Sequence, residues 1–332
     1  MIIHLKNAVT AKQAAILAEE VKAFHVSNGE QEILITSSSV KVLPKRLEDY
    51  TDKCWIFDND MQLASKKYIP KRRSVLIGNT KIGGNSNHTI LIGGPCSVES
   101  ETQIRTSAEF IKTLGLTTLR GGCYKPRTSP YSFQGLGFEG LMLLSKMRED
   151  FGLNVITEVR DATHIHEVIE HSDVVQIGAK AMYDQGILRA CAKIKKPVLL
   201  KRGFGTTLQE FVQAAEFILS GGNDQVILCE RGIRTFESKT RFTLDLCGVA
   251  YLQEFTNLPI VLDPSHAIGH AYGVTPLAKA CTAMGIDGLI IETHPNPKVA
   301  KSDAAQQLSH DAFIALKEEV TVIAEAINYK IV

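Results

Sequence analysis

The sequence has few of the features that mark a disulfide scaffold or a membrane protein. Only seven of the 332 residues are cysteines, and they are scattered without a Cys-x-x-Cys pair. This pattern favours free thiols in a reducing compartment. No apolar run approaches the roughly 20 residues needed to cross a bilayer, and the first fifteen residues lack the basic and apolar segments of a secretory signal. We therefore expect a cytoplasmic protein with no membrane partner.

The sequence also lacks an excess of charge of either sign, since the formal net charge is +1. No overall field attracts nucleic acid or an acidic membrane, so nucleic acid is not expected as a partner and any anion site must be built locally. The composition is otherwise that of a globular protein, with 44% hydrophobic and 22% charged residues. At this length, the chain is expected to hold one large and one small domain.

The first 70 residues differ in pattern from the rest. Apolar spacing predicts, in order, a strand over 1–5, a helix over 11–24, two short strands or one bent strand over 32–42, a short helix over 44–50 and a strand over 54–57. This order indicates a small α+β domain of ferredoxin-like type. The basic segment 66–73 is predicted to be a solvated linker, which divides the chain into domains 1–70 and 71–332.

The second domain begins with a predicted β-hairpin over 74–82, whose turn is Gly78-Asn79. Eight strand-like runs then follow, over 89–94, 117–122, 154–159, 174–180, 197–203, 225–231, 259–266 and 288–294. Helix-like stretches come after them, over 101–115, 137–151, 162–171, 184–194, 207–220, 241–255, 275–284 and 309–327. Eight strand–helix repeats predict an α/β fold, a (β/α)8 TIM barrel. A doubly wound open sheet is the alternative, but no G-x-G-x-x-G opens the first helix.

Polar side chains gather where the predicted strands end. Seven of the eight strands deliver at least one of them, and the set comprises Arg120, Glu158, Gln176, Lys180, Lys201, Arg202, Glu230, Arg231, Asp263, His266, Glu292 and His294, with Cys96 just after the first strand. In a barrel these ends converge on one mouth, where active sites are built. A single polar residue at a strand end could simply solvate the rim of the barrel. Polar residues at the ends of seven strands are hard to explain in that way.

One stretch at the mouth, 119–137 (LRGGCYKPRTSPYSFQGLG), combines three cations, two prolines and the adjacent hydroxyls of Thr128 and Ser129. Prolines stiffen the backbone and so direct the side chains beforehand. Arg offers a planar fork and Lys a point charge to a phosphate, so the stretch suits a multiply charged anion; a solvated basic loop is the alternative. The cations of the whole mouth exceed what one phosphate needs, which predicts two anionic groups or one ligand with phosphate and carboxylate. They are Arg120, Lys125, Arg127, Lys180, Lys201 and Arg231.

A second set of side chains at the mouth suits a divalent metal. Cys96, His266 and Glu292 follow strands 1, 7 and 8, and Asp303 in the next loop can return as a fourth ligand. Thiolate, imidazole and carboxylate together suit Mn, Fe, Co or Zn better than Mg or Ca. A buried structural cysteine and a hydrogen-bonded histidine explain the same residues, and spacing alone leaves both interpretations open.

Several motifs resemble those of one enzyme family. They are 93–99 (GGPCSVE), 119–137, 176–179 (QIGA), 197–203 (PVLLKRG), 227–237 (ILCERGIRTFE), 263–266 (DPSH) and 292–295 (ETHP). In this order they are similar to the type I 3-deoxy-7-phosphoheptulonate (DAHP) synthases, and the chain resembles their beta subgroup with a short ferredoxin-like N-terminal domain. The resemblance covers about residues 74–330.

The resemblance implies a metal-dependent transferase of the shikimate pathway, the route to chorismate and the aromatic amino acids. Such enzymes condense phosphoenolpyruvate with D-erythrose 4-phosphate and water, and release phosphate by C–O cleavage. The implied cofactor is one divalent ion (Mn, Fe, Co or Zn), and the implied ligands are Cys96, His266, Glu292 and Asp303.

The resemblance also implies roles for other side chains at the mouth. Phosphoenolpyruvate would be held by Arg120, Lys125, Lys180, Lys201 and Arg231, and the aldose phosphate by Arg127 and Thr128 with Ser129 near; Gln176 and Asp263 complete the substrate-binding set. Lys125 is a candidate proton donor, Glu158 would position or deprotonate water, and Cys96 and His266 act as ligands. The family usually has Arg where this chain has Lys180, which keeps the charge but loses the bidentate fork.

Two alternatives stay open at this point. The related synthase that makes a 3-deoxy-octulosonate 8-phosphate from arabinose 5-phosphate shares the barrel, but its loop typically carries Asn where this chain has 125–128 (KPRT). A non-catalytic regulatory barrel is the other, against which the intact metal set argues.

The resemblance also bears on regulation and assembly. The N-terminal domain resembles domains that bind an aromatic amino acid at subunit contacts, which implies allosteric regulation in a homotetramer or homodimer; a domain kept only for assembly is the alternative. Whether Cys96 and Cys123 can form a disulfide is a further open question.

Overall fold

Residues 1–27, 29–125 and 129–332 are described by the computed structural model. Two predicted substrate residues, Arg127 and Thr128, therefore lie outside the described residues. The described chain forms a small N-terminal sheet, a two-stranded hairpin and a closed barrel. No helix within these three ranges has both the length and the apolar character needed to cross a bilayer.

The N-terminal unit, residues 1–55, is a four-stranded antiparallel sheet with one α-helix and one 3-10 helix. Its elements are β1 (Ile2–Leu5), α1 (Ala11–Glu20), β2 (Phe24–Ser27), β3 (Glu32–Ile35), the 3-10 helix (Lys45–Tyr50) and β4 (Thr51–Trp55). The strands lie in the order β2-β3-β1-β4. Apolar side chains of the sheet, including Ile3 and Leu34, pack against Leu17 of α1 and form the core of the unit.

Four predicted elements of the N-terminal unit differ in bounds or type in the structure. One is the strand predicted over 54–57, which the structure places at Thr51–Trp55. The predicted helix 11–24 ends at Glu20, because Lys22 takes a left-handed φ of 54° and the chain turns into β2. The stretch 32–42 holds only one strand, since Ser39 donates to Oγ of Ser37 through its N–H and its hydroxyl, and such local bonds compete with strand pairing. The helix predicted over 44–50 is a 3-10 helix.

The connecting segment, residues 61–73, packs on the barrel, so the prediction of a solvated linker over 66–73 is wrong. The Glu216 carboxylate accepts hydrogen bonds from the backbone N–H groups of residues 62–64, at 2.7, 3.1 and 2.8 Å. Arg72 is ion-paired with the buried Asp287. Buried backbone groups and charges need such partners, so the segment is held along its length. The boundary at residue 70 stays a prediction.

The barrel has eight parallel strands that close on themselves, as predicted. They are β7 (His88–Gly94), β8 (Thr118–Arg120), β9 (Asn154–Val159), β10 (Val174–Ile177), β11 (Val198–Lys201), β12 (Val226–Glu230), β13 (Ile260–Leu262) and β14 (Gly288–Glu292). Each pairs with the next, and β14 pairs with β7. A short strand, β15 (Lys330–Ile331), adds to β7 outside the ring.

Helices surround the barrel and bury the outer face of the strands. They are α2 (Glu101–Thr113), α3 (Phe138–Phe151), α4 (Ile165–His171), α5 (Gln185–Ala192), α6 (Leu208–Ser220), α7 (Leu246–Phe255), α9 (Ala271–Ala283) and α10 (His310–Ala326). The short helix α8 (Pro264–Ile268) lies at the end of β13 instead. The predicted helix 241–255 begins only at Leu246, because the Asp245 side chain caps it by accepting the N–H of Gly248.

The hairpin of β5 (Ser74–Ile77) and β6 (Thr80–Gly83) closes one end of the barrel. Its buried Val75, Ile77 and Ile82 belong to the same apolar cluster as side chains inside the barrel such as Ile90 and Val174. These last two residues lie near the N-terminal ends of their strands. The opposite end, where the strands finish, is therefore the open mouth.

Candidate functional site

His266 lies on a short helix, not on the strand that the sequence predicts over 259–266. The strand β13 ends at Leu262, Asp263 caps α8 by accepting the N–H of His266 at 2.9 Å, and Pro264 occupies its first turn. Proline favours a first helical turn because its missing N–H is not needed there. The short helix directs His266 toward the barrel mouth.

Asp263 orients the imidazole of His266 and pairs with a cation. Its Oδ2 accepts from Nδ1 of His266 at 2.7 Å and from Nζ of Lys201 at 2.6 Å. Burial opposes ionisation, but His266 and Lys201 hold the pKa of Asp263 well below its usual range. A carboxylate on Nδ1 leaves Nε2 as the free ring nitrogen, which is the usual arrangement behind a metal-binding histidine.

The four-ligand group consists of Cys96, His266, Glu292 and Asp303, which the structure brings together. One candidate ligand atom from each lies within 4.8 Å of the others. Nε2 of His266 lies 3.4 Å from Oε1 of Glu292 and 3.9 Å from Oδ2 of Asp303, and Sγ of Cys96 lies 3.6 Å from the same Oδ2. One thiol, one imidazole and two carboxylates fit a borderline divalent metal.

The protonation states of the group fit the same role. Burial lowers the pKa of His266, against the effect of Asp263 and Glu292, which favours a neutral imidazole at pH 7. Burial and the carboxylate of Glu292 raise the pKa of the Cys96 thiol to about 11, and Lys125 opposes this with Nζ at 3.2 Å from Sγ. A bound cation would stabilise the thiolate, the form in which cysteine binds a metal.

Arg120 and Glu292 form a buried ion pair beneath the mouth. One guanidinium nitrogen of Arg120 donates to Oε1 of Glu292 and to the carbonyl of Pro95, both at 2.8 Å. Both side chains are at least 98% buried. Burial opposes the ionised state, but His266 and Arg120 lower the pKa of Glu292. Arg120 thus contacts the four-ligand group directly.

A cavity of about 410 Å³ opens above the four-ligand group. Its lining includes two members of that group, His266 and Asp303, and six cations. These cations are Lys125, Lys180, Lys201, Arg231, Arg234 and Arg241. The balance of the lining is strongly positive, so the cavity suits a ligand with several negative charges.

The side chain of Arg231 is buried and held in place with a hydrogen-bond donor that such a ligand could use. It is 96% buried, and one of its terminal nitrogens has no hydrogen-bond partner among the residues that the structure describes. Its guanidinium lies 4.3 Å from the centre of the Phe242 ring, a cation–π contact that fixes the side chain. An unsatisfied buried donor is costly, and an anion in the cavity would satisfy it.

Two cations and two aromatic rings of the cavity were not predicted from the sequence. Arg234 stacks 4.9 Å from the ring centre of Phe204, and Arg241 lies beside Phe242. Arg234 falls inside the motif 227–237, and the alternation of Arg and Phe after β12 could have indicated Arg234, Arg241 and Phe242. Phe204 follows β11 and has no such signal.

Glu158 lies at one wall of the cavity, and Nε2 of Gln176 donates to its Oε2 at 2.9 Å. Gly178 leaves room for this carboxylate, since a Cβ there would lie 2.1 Å from Oε1 of Glu158. Gln176 itself is buried behind the wall. The arrangement holds a carboxylate beside the ammonium groups of Lys125 and Lys180 in the same cavity.

Of the other predicted substrate-binding residues, three lysines line the cavity and Ser129 is not among the lining residues. The lysines are Lys125, Lys180 and Lys201. Ser129 accepts the N–H of Tyr131 at 3.3 Å, while Ser132 of the same loop is the serine that lines the cavity. The substrate roles assigned to the whole set stay predictions. All seven cysteines are free thiols.

Comparisons with known proteins agree with this geometry. The model of the DAHP synthetase I family matches residues 63–328. Phospho-2-dehydro-3-deoxyheptonate aldolase of Thermotoga maritima is 38% identical over the full length of both chains. A 2-dehydro-3-deoxyphosphooctonate aldolase of Desulfotalea psychrophila is 31% identical over 76% of this chain and 95% of its own.

Solved structures give the same result. The crystal structure of the Thermotoga maritima heptonate aldolase (DAHP synthase) superposes with a TM-score of 0.81 at 38% identity, over 100% of this chain and 99% of that one. A truncated form of 3-deoxy-D-arabino-heptulosonate 7-phosphate synthase from the same organism covers 81% of this chain and 98% of its own, with a TM-score of 0.76 at 40% identity. By fold, sequence and site geometry, the chain belongs to the DAHP synthetase I family.

Proposed function

We propose that this protein condenses phosphoenolpyruvate with D-erythrose 4-phosphate and water to give 3-deoxy-D-arabino-heptulosonate 7-phosphate and phosphate. The observation that carries the proposal is the placement of the four-ligand group at the floor of a cavity lined by six cations. The two substrates together bring two phosphates and one carboxylate, which accounts for the number of cations. Erythrose 4-phosphate brings an aldehyde, which requires polarisation before carbon–carbon bond formation.

The four-ligand group would hold one divalent ion, with Mn, Fe, Co and Zn as the candidates. Bound there, such an ion supplies Lewis-acid polarisation of a carbonyl oxygen. The donor set fits it, because Asp263 already orients His266 and Arg120 orients Glu292.

The protein's own residues would bind, orient and move protons. Arg231, Lys201 and Lys180 would hold phosphoenolpyruvate, and Arg127 with Thr128 the aldose phosphate. Burial acts to lower the pKa of Lys125, but Cys96 and Glu158 outweigh it and raise that pKa. The raised pKa favours a protonated ammonium at neutral pH. That ammonium can donate a proton to the new hydroxyl oxygen, as general acids do when positioned next to the reacting atoms.

Glu158 would position the water that adds to C2 of phosphoenolpyruvate. Gln176 donates to one of its oxygens at 2.9 Å, which leaves the other toward Gly178 and the cavity. Phosphate would then leave with the bridging oxygen. With phosphoenolpyruvate labelled at that oxygen, the label should appear in inorganic phosphate, and label retained in the sugar would contradict this step.

A second candidate is the condensation with arabinose 5-phosphate, because octonate aldolases are also related to this chain. The heptonate aldolase matches the full chain, including the N-terminal unit, at the higher identity of 38%. The octonate aldolase of Desulfotalea psychrophila matches 76% of the chain. This difference in coverage supports erythrose 4-phosphate as the aldose.

The test is product formation with each aldose phosphate. Phosphoenolpyruvate should be consumed with erythrose 4-phosphate at a kcat/KM at least about tenfold above that with arabinose 5-phosphate, a difference of about 1.4 kcal/mol. Chelator-treated protein should lose this activity, and Mn²⁺ or Co²⁺ should restore it. Turnover with arabinose 5-phosphate alone would replace the proposal by the second candidate, and no turnover with either would support a non-catalytic barrel.

We further propose that the N-terminal unit regulates the barrel, that the effector is an aromatic amino acid and that the protein is a cytoplasmic homo-oligomer, a tetramer or a dimer. The support for coupling is the contact of the connecting segment with Glu216 of α6. The ferredoxin-like character of the unit is supported by its β2-β3-β1-β4 strand order and by α1 and the 3-10 helix, which stand at the two helix positions of that fold. The number of protomers is testable by light scattering.

A further inference from the structure

Two adjacent glutamines lie directly behind the four-ligand group. Gln306 and Gln307 are each 98% buried, in the loop between Asp303 and α10. Buried amides are found where their donors and acceptors are satisfied, so their partners show what holds them. We call them the glutamine pair.

Gln306 holds one oxygen of Glu292. Its Nε2 donates to Oε2 of Glu292 at 2.6 Å, while the other oxygen, Oε1, faces Nε2 of His266 at 3.4 Å. The amide therefore fixes Oε2, while Oε1 accepts from Arg120 and is directed at the centre of the four-ligand group.

Arg241 fixes which way the amide of Gln306 points. A guanidinium nitrogen of Arg241 donates to Oε1 of Gln306 at 2.9 Å and lies 3.5 Å from Oδ2 of Asp303. Arginine can only donate and a carboxylate can only accept, so the amide oxygen must face Arg241 and the amide nitrogen must face Glu292. The positions of the amide oxygen and nitrogen of Gln306 are therefore set by its two partners, although the two atoms are similar in size.

Gln307 joins the loop of Cys96 to the loop of Asp303. Its Oε1 accepts the backbone N–H of Cys96 at 3.0 Å, and its Nε2 donates to the carbonyl of Ser302 at 2.9 Å. The next residue, Asp303, has a left-handed φ of 46°, which a non-glycine residue adopts only with support from its surroundings. Gln307 supplies part of that support.

We propose that the glutamine pair positions three of the four ligands for a divalent cation, Gln306 through Glu292 and Gln307 through Cys96 and Asp303. The inference rests on the proposed metal site and assigns it two positioning residues that do not themselves contact the metal. Groups of this kind orient the ligands, and their loss typically weakens metal binding by roughly 10–100-fold.

The experiment compares Gln306→Met and Gln307→Met with a matched control. Methionine keeps the length of glutamine and removes its hydrogen bonds. Gln225→Met is the control, because Gln225 precedes β12 at the opposite end of the barrel and its side chain donates only to Asp224 among the described residues. The measurements are the Co²⁺ dissociation constant by chelator competition, the visible and near-ultraviolet spectrum of bound Co²⁺, and the melting temperature of metal-free protein.

The pair variants should bind Co²⁺ about 10–100-fold more weakly, with a changed absorption spectrum, while Gln225→Met matches the wild type in both. Because the two variants are independent, one that fails to fold leaves the other to decide. Unchanged affinity and spectrum in a folded variant, with wild-type protein binding Co²⁺, would overturn the inference and leave the metal site standing. Wild-type protein that binds no Co²⁺, Mn²⁺ or Zn²⁺ would overturn both.

Discussion

Asp263 satisfies three donors with one carboxylate. Oδ1 accepts the N–H of His266, and Oδ2 accepts from the imidazole and from Lys201. It thus caps α8, orients a proposed ligand and compensates a buried cation. Removing one partner of a buried ion pair leaves an uncompensated charge, which typically costs about 3–5 kcal/mol.

Asp263→Asn should therefore reduce both metal affinity and activity while the barrel still folds. The asparagine oxygen can still cap α8, but its amide nitrogen would face the donors of Lys201 and His266. We expect kcat/KM to fall at least about 100-fold and the Co²⁺ dissociation constant to rise roughly 10–100-fold. Steady-state kinetics and chelator competition measure the two effects, with circular dichroism to establish that the variant is folded. Wild-type metal affinity in Asp263→Asn would show that this carboxylate does not orient His266.

Lys180 is a second residue whose side chain invites a direct test. It lines the cavity where the family resemblance implies an arginine. An arginine fork can bind a phosphate through two parallel hydrogen bonds, whereas an ammonium acts as a point charge. Lys180→Arg should therefore lower KM for phosphoenolpyruvate by up to about tenfold with a smaller change in kcat.

Two further variants complete the Lys180 experiment. Lys180→Met, which removes the charge, should raise KM for phosphoenolpyruvate by about 10–100-fold, consistent with about 1.5–3 kcal/mol for a charged hydrogen bond. Lys193→Arg is the matched control, since Lys193 is exposed at the end of α5, on the outside of the barrel. If Lys180→Met binds phosphoenolpyruvate as well as the wild type does, the substrate role of Lys180 is wrong.

The sequence places Cys96, His266 and Glu292 at one mouth because they follow strands whose ends must converge in a barrel, but their spacing alone leaves their role open. The family resemblance is what implies that these three and Asp303, in the loop after β14, are metal ligands. The sequence does not predict Arg241 or the glutamine pair. Arg241 and Gln306 are 65 positions apart and meet only through side chains of two long loops. Loop conformation depends on contacts between distant segments, so strand periodicity carries no information about it.

At the scale of elements, α8 shows where apolar patterning ends. The run 259–266 continues the pattern of a strand, but Asp263 and Pro264 are capping and first-turn residues of a helix. The local chemistry of these two residues overrides the pattern. The result turns His266 into the site.

The contact between the connecting segment and α6 contains a titratable carboxyl, that of Glu216. Burial raises the pKa of the Glu216 carboxyl to about 7, although the three backbone N–H groups and Arg73 oppose the shift. The pKa of a glutamate in an unfolded chain is about 4.3. The folded protein therefore holds a proton that the unfolded chain releases between these values.

The free energy of unfolding should consequently decrease as the pH rises from about 4.5 to about 7, by up to roughly 3 kcal/mol from this group. Stability from the raised pKa is complete below the unfolded value and is lost as the pH passes the folded value. Glu216→Gln, neutral throughout, should flatten this part of the profile, whereas Glu318→Gln on the exposed face of α10 should not. Urea unfolding at several pH values measures the difference, and parallel profiles for wild type and Glu216→Gln would refute the assignment.

At the scale of the whole molecule, the barrel has one closed end and one open end. The hairpin closes one end of the barrel with apolar side chains, and the cavity opens at the other. The N-terminal unit lies against the side, where the connecting segment joins it to α6. This packed contact is the route through which the proposed regulation of the barrel by the N-terminal unit would act.

The chain contains a single tryptophan, and it lies where that coupling would be visible. Trp55 of β4 packs 4.8 Å from the ring of His4 and 5.2 Å from the ring of Tyr68, ring centre to ring centre. Tyr68 belongs to the connecting segment and hydrogen-bonds to His4 at 2.8 Å. The fluorescence of Trp55 therefore reports on the contact between the N-terminal unit and the connecting segment.

We expect Tyr or Phe to inhibit the condensation and to change Trp55 emission with the same half-saturating concentration, because one binding event drives both. Emission is excited at the red edge, where added tyrosine does not absorb, and Trp is tested by initial rates alone. Leu serves as the control ligand and should change neither readout. Tyr68→Phe, which removes only the hydroxyl bonded to His4, should keep the basal rate but weaken inhibition, since that bond ties the two parts together. Full activity in the presence of all three aromatic amino acids would leave the N-terminal unit with a role in assembly alone.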